Sequence, residues 1–214
     1  MIRNNPSDFS KSGNLLSLHA FLVALIIFIG MGCGKESPND SGTNNTDTTN
    51  NGDGFKPYLI RQGQHYCDQN TLKLVRTSEM RFAVRFDSSA IYTTVNPVNQ
   101  FDINKLWGFS EGLNHQVNSA RIGWRWSDSA LRLFGYVYDS GQRYSQEIGI
   151  IEINRNVECG IKLMGDQYAI SANGDTVFLP RGPLDTVANG YQLYPYFGGD
   201  ETAPQDIRIM VREY

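Results

Sequence analysis

The chain has 214 residues, 21 glycines, three cysteines and a formal net charge of −3. Its length fits one domain or two small ones. A mildly acidic chain without a basic cluster has no means of neutralising phosphates, which argues against nucleic acid as a partner.

Arg3 and Lys11 precede an apolar run from Leu15 through Ile29, broken by Ser17 and His19 and ending in Gly30-Met31-Gly32-Cys33. The run approaches the ~20 residues that cross a bilayer, so an uncleaved anchor is one reading. Small residues leading into a cysteine give the other, because they resemble the bacterial lipoprotein signal, with Gly30 where leucine is usual. That resemblance implies removal of residues 1–32 and lipidation of Cys33. Both readings put the folded part outside the cytoplasm and tied to a membrane. Residues 33–54 offer no large apolar side chain to bury, which predicts a disordered polar tether with a reach of roughly 25 Å. Its Asn, Asp and Thr content resembles the tethers of Bacteroides-like envelope lipoproteins. Gly34, in place of an aspartate, implies the outer membrane.

Residues 55–214, about 160, are enough for one core. Once Cys33 is set aside, Cys67 and Cys159 form an even remainder in an oxidising compartment, which suggests one disulfide; two buried free thiols are the alternative. A single helical turn is expected near Asn104–Trp107. Period-two alternation then predicts strands. Met80, Phe82, Val84 and Phe86 share one face against Arg81 and Arg85. Ala120, Ile122, Trp124 and Trp126 oppose Ser119, Arg121, Gly123 and Arg125. Leu131, Leu133, Gly135 and Val137 oppose Arg132, Phe134, Tyr136 and Tyr138. Further strands are expected over 147–153 and 161–164. Asn173-Gly174 between 168–172 and 176–179 predicts a tight hairpin, and 206–211 closes the series. Roughly ten strands imply two packed antiparallel sheets.

The run Leu131–Tyr138, Gly141-Gln142-Arg143, and the hairpin with Tyr168, Ile170, Asn173 and Gly174 resemble the central strands of concanavalin A-like and laminin G-like sandwiches. Residues 118–126 and 194–204 resemble an uncharacterised family of bacterial envelope lipoproteins. The expected fold is therefore all-β, a two-sheet antiparallel jelly-roll sandwich over 55–214. Two stacked immunoglobulin-like domains would need a central linker, and none is seen.

Hydrolases of the concanavalin-like fold carry Glu-x-Asp-x-Glu or a bulged form of it, and that pattern is missing; Glu147 and Glu152 are an odd spacing apart, on opposite strand faces. A Ser-His-Asp triad lacks its nucleophile elbow. Lyases of the fold need Arg, Gln or Asn, His and Tyr, for which Arg121, Arg125, Asn114 or Asn118, His115, and Tyr136 or Tyr138 are available, while the local lyase motifs are missing. Arg121 and Arg125 share one strand face, as do Arg132, Phe134, Tyr136 and Tyr138 on the next. Were those faces solvated, rings would stack on sugars and guanidinium groups would hold carboxylates or hydroxyls; otherwise the aromatics are core. Trp107 fits either role. Asp200, Glu201 and Asp206, with Asp102 and Asn104, offer oxygens for calcium but no contiguous loop, and no other cofactor is expected. The leading expectation is a membrane-anchored, non-catalytic module binding a glycan or an envelope partner. A polysaccharide lyase-like enzyme using His115, Arg121 and Tyr136 is the alternative, and a structural subunit of a surface assembly the third.

Overall fold

The computed structural model describes residues 52–183 and 185–214. The apolar segment, Cys33 and the tether as far as residue 51 lie outside the described residues. The tether's last residues are tied down: Asp53 accepts from the Phe55 amide and pairs with Arg85 at 3.0 Å, so order begins before residue 55.

The described chain is all-β, with twelve strands where ten were expected. They are β1 (Lys56–Ile60), β2 (Leu74–Thr77), β3 (Glu79–Phe86), β4 (Asn104–Ser110), β5 (Ser119–Ser127) and β6 (Ala130–Asp139). β7 (Gln142–Ile151), β8 (Val157–Met164), β9 (Gln167–Ala172), β10 (Asp175–Pro180), β11 (Ala188–Leu193) and β12 (Ile207–Glu213) follow. Two six-stranded antiparallel sheets run in the orders β1-β12-β3-β8-β9-β10 and β2-β11-β4-β5-β6-β7. This is the jelly-roll sandwich expected from the sequence.

Strand alternation sets what faces inward. Phe82, Val84 and Phe86 of β3 meet Ile122 and Trp124 of β5 and Leu133 and Val137 of β6 in one apolar core. Each large apolar side chain fully buried there contributes about 1.5–3 kcal/mol. The 173–174 hairpin closes as predicted: Ala172 pairs with Asp175, and Asn173 and Gly174 take φ of 49° and 96°. Both angles are positive, as a type I′ turn requires.

A buried staple joins the end of β4 to the end of β10. Arg181 grips Glu111 through two bonds of 2.7 Å, and the Tyr168 hydroxyl donates to the same carboxylate. The guanidinium also donates to the carbonyls of Gly165 and Asp185, so the buried pair has few unmet valences.

Two expectations fail here. Cys67 and Cys159 are both free and buried. Cys67 flanks Ile60 on the edge away from β12, while Cys159 lies on β8, beyond β12 and β3. Four strand spacings of about 4.8 Å therefore separate them, and a disulfide spans at most about 7 Å between Cα atoms. Residues 104–107 form strand rather than a helical turn, because Asn104, Lys105 and Trp107 pair with Trp124, Gly123 and Ile122 of β5. Trp107 is core, 1% exposed, packed edge-on to Tyr58 and Tyr194.

Candidate functional site

The outer face of the second sheet carries a cleft of about 620 Å³, within the range of small-molecule sites at ~300–1,000 Å³. Its floor is a cross-strand row. Gly108 of β4 lies opposite Arg121 of β5, which lies opposite Tyr136 of β6. One row along, Ser119 faces Tyr138, which in turn faces Arg143 of β7. Glycine at 108 is required by this arrangement, since a Cβ there would come within 2.5 Å of the Arg121 Cα.

A β-bulge completes the floor. Lys105 pairs with Gly123 but Trp107 pairs with Ile122, so Leu106 is an extra residue. In a regular strand residues 105 and 107 would share a face; the bulge sends Lys105 into the cleft and Trp107 into the core. The Lys105 ammonium donates to the Gly198 carbonyl at 2.7 Å and lies between the rings of Tyr136 and Tyr196, 5.4 and 5.5 Å from their centroids. Burial, helped by Arg121, lowers its pKa to about 8.

The walls come from two loops and β11. Tyr196 exchanges backbone hydrogen bonds with Lys105, stacks on His65 and meets Tyr66 edge-on. Asn104 accepts from the Gly198 amide and donates to the Tyr92 hydroxyl at 2.9 Å, which fixes the 194–199 loop. On the opposite wall His115 Nδ1 lies 2.8 Å from the Tyr191 hydroxyl. Burial, and then the charge of Arg121, pull the His115 pKa below its ordinary value.

Arg121 is the singular residue. It is 8% exposed, and among the described residues its guanidinium has neither an ion pair nor a hydrogen bond. Burial lowers its pKa to about 10. None of the residues lining the cleft is acidic, so Arg121, Lys105 and Arg143 share it without a counter-charge. Tyr136, 5% exposed, has its pKa pushed up to about 12 by burial, with its partner Tyr138 adding to that. It therefore presents a neutral hydroxyl.

Of the residues expected at a site, Arg121, Tyr136, Tyr138 and His115 come together in this cleft. Six others do not, Asn114, Asn118 and Phe134 among them. Arg125 donates to the Phe101 carbonyl and Ser127 Oγ and lies 4.7 Å over Phe134, one row beyond the cleft. Arg132 is held by Glu147 at 2.9 Å and Asp128 at 3.5 Å. Trp107 faces the core. The acids considered for calcium have separate partners: Glu201 accepts from the amides of Val95 and Asn96, and Asp206 from that of Gln62. Asn104 is buried, Asp102 lies against Gly199 and Asp200 is exposed. Among the described residues no group of three or more His, Cys, Asp or Glu is placed to hold a metal.

Lys105, Arg143, Tyr191 and Tyr196 escaped sequence reasoning. For Arg143 a signal existed, since Ser140-Gly141 is a two-residue turn that puts it opposite Tyr138. Lys105 had none, because a bulge leaves no mark in the apolar alternation.

No family model matches the chain, and no curated protein sequence does. Among solved structures it is similar to SCLam, a non-specific endo-β-1,3(4)-glucanase of family GH16, with a TM-score of 0.50 and 9% identity over 74% of this chain and 69% of that one. It is also similar to the laminarinase catalytic domain of Thermotoga maritima (TM-score 0.49, 9% identity, 76% and 78% covered) and to the alginate lyase AlyC3 (0.49, 12%, 75% and 74%). At these identities what is shared is the fold alone, a two-sheet antiparallel jelly-roll sandwich.

Proposed function

We propose that the chain is a non-catalytic, glycan-binding β-sandwich module, held at the bacterial envelope by a lipid on Cys33. The observation that carries the binding reading is the assembly of Arg121, Tyr136 and Tyr138 with Lys105, Tyr191 and Tyr196 in one solvated cleft. Aromatic faces with interleaved hydrogen-bond donors suit the apolar faces and hydroxyl rims of sugars. A cleft lined by no carboxylate has no residues for two-carboxylate hydrolysis, which supports binding without turnover. A glycan array on the purified chain tests this: bound saccharides are expected, and their loss in Y136A/Y138A ties them to the cleft. Silence across the array refutes the reading. The anchor is tested separately, since C33S should abolish incorporation of labelled fatty acid and partition into detergent.

His115 within the same cleft favours a second reading, β-elimination from a uronate chain. A base in the cleft would take the proton α to the carboxylate, Arg121 would hold that carboxylate, and the departing glycosidic oxygen would gain a proton. The products would be a saturated end and an unsaturated uronate. Growth of ultraviolet absorbance on incubation with polyuronates, lost in H115A, would favour it over simple binding.

A further inference from the structure

Arg121 is built as half of an ion pair. The residue is nine-tenths buried, its guanidinium opens on the floor of the cleft, and among the described residues no carboxylate, carbonyl or hydroxyl takes its protons. The other buried arginine among the described residues is treated quite differently: Arg181 is enclosed by Glu111 and two carbonyls, and even the half-buried Arg132 is paired with Glu147 and Asp128. A buried charge without a partner is destabilising, so its retention in a solvated cleft points to a partner from outside. The neighbours have the same sign. Lys105 and Arg143 reach the same space, and the surrounding tyrosines offer hydroxyl donors.

We propose that the cleft selects acidic saccharides, with a sugar-borne oxyanion, carboxylate or sulfate ester, seated on the Arg121 guanidinium. This rests on the glycan-binding reading and narrows it to a ligand class. A planar guanidinium fork matches a carboxylate or sulfate edge through two parallel bonds. Lys105 supplies a second positive charge, and Tyr136 and Tyr138, edge-on to each other with ring centroids 5.9 Å apart, supply an aromatic edge and hydroxyl groups beside the oxyanion.

The test is calorimetric titration of the full chain with matched saccharide pairs. One pair is oligogalacturonate against its methyl ester, and the other is sulfated carrageenan oligosaccharide against its desulfated form. The acidic member of one pair is expected to bind at least about tenfold tighter than its neutral mate, the scale of one charge-assisted contact. Which pair discriminates separates carboxylate from sulfate. R121Q should erase the preference, R121K should restore part of it, and R125Q, outside the cleft, should leave it intact. The thermal midpoint of R121Q should equal or exceed that of the parent, because no internal partner is lost; a marked fall would make Arg121 structural and overturn the proposal. Equal affinity within both pairs would also overturn it and leave glycan binding standing. If no member of either pair binds, while the array finds neutral ligands, the acidic class is wrong; if the array is silent too, glycan binding itself falls.

Discussion

Lys105 gives the cleft a pH response whose sign follows from its surroundings. Burial and then Arg121 depress its pKa to about 8 in the folded chain, against the smaller upward pull of Asp102, with Arg143 adding least. His115 is pulled below its ordinary value and Tyr136 lifted to about 12, so neither changes charge in the window just above 8. An acidic ligand favours the ammonium. Affinity for such a ligand is therefore expected to hold below about pH 8 and to fall above it, and K105M should flatten that profile. The same shift bears on stability. Between about 8 and the ordinary lysine value near 10.4, the unfolded chain binds the extra proton, so this group makes stability rise with pH across that interval. A urea-unfolding series from pH 7.5 to 10, compared with K105M, reads the difference.

At the scale of elements, most of the sandwich was legible in sequence because most of its strands obey period two. Met80–Phe86, Ser119–Trp126 and Leu131–Val137 bury the residues their alternation assigns, and Asn173-Gly174 turns where its dihedral preferences place it. Legibility ended where strands are short or broken. β1, β2 and β11 hold only four to six residues each and carry little alternation. β4 loses its phase at Leu106, and with it went the placement of both Trp107 and Lys105. Half of the site was visible on this account: the regular strands β5 and β6 gave Arg121, Tyr136 and Tyr138, whereas the loop-borne Tyr196 is brought in only by tertiary pairing. Two glycines bear the geometry. G108A would drive a methyl group to 2.1 Å from the Ala120 carbonyl oxygen, forcing β4 and β5 apart at a cost of about 1–3 kcal/mol. G174A, at φ of 96° with open space around it, should cost about 1 kcal/mol through backbone strain alone. Chemical denaturation distinguishes them, and G108A alone should also weaken ligand binding.

Across the whole molecule the two sheets are joined without covalent help. Both described cysteines are free, and burial pushes the Cys67 pKa up to about 11 and that of Cys159 higher still. Alkylation of the unfolded chain is expected to give equal masses with and without reductant, and the folded chain should resist modification. The staple between Glu111 and Arg181 is the polar counterpart of a cross-link. E111Q should destabilise by about 3–5 kcal/mol in urea, because it strands a buried guanidinium, while E111L/R181M should cost less.

The β-bulge at Leu106 has a consequence for how such a module diversifies. Elsewhere on the second sheet the faces can change separately: Arg121 and Tyr136 look outward, Ile122 and Val137 inward, and a replacement on one face leaves the other undisturbed. Ligand preference can drift along β5 and β6 without touching foldability. At residues 105–107 that independence is lost, since one backbone irregularity aims the ammonium and the indole at once. Descendants that differ in ligand preference should therefore vary freely along β5 and β6 and keep the extra residue in β4, making the bulge the hereditary constant around which recognition is rewritten.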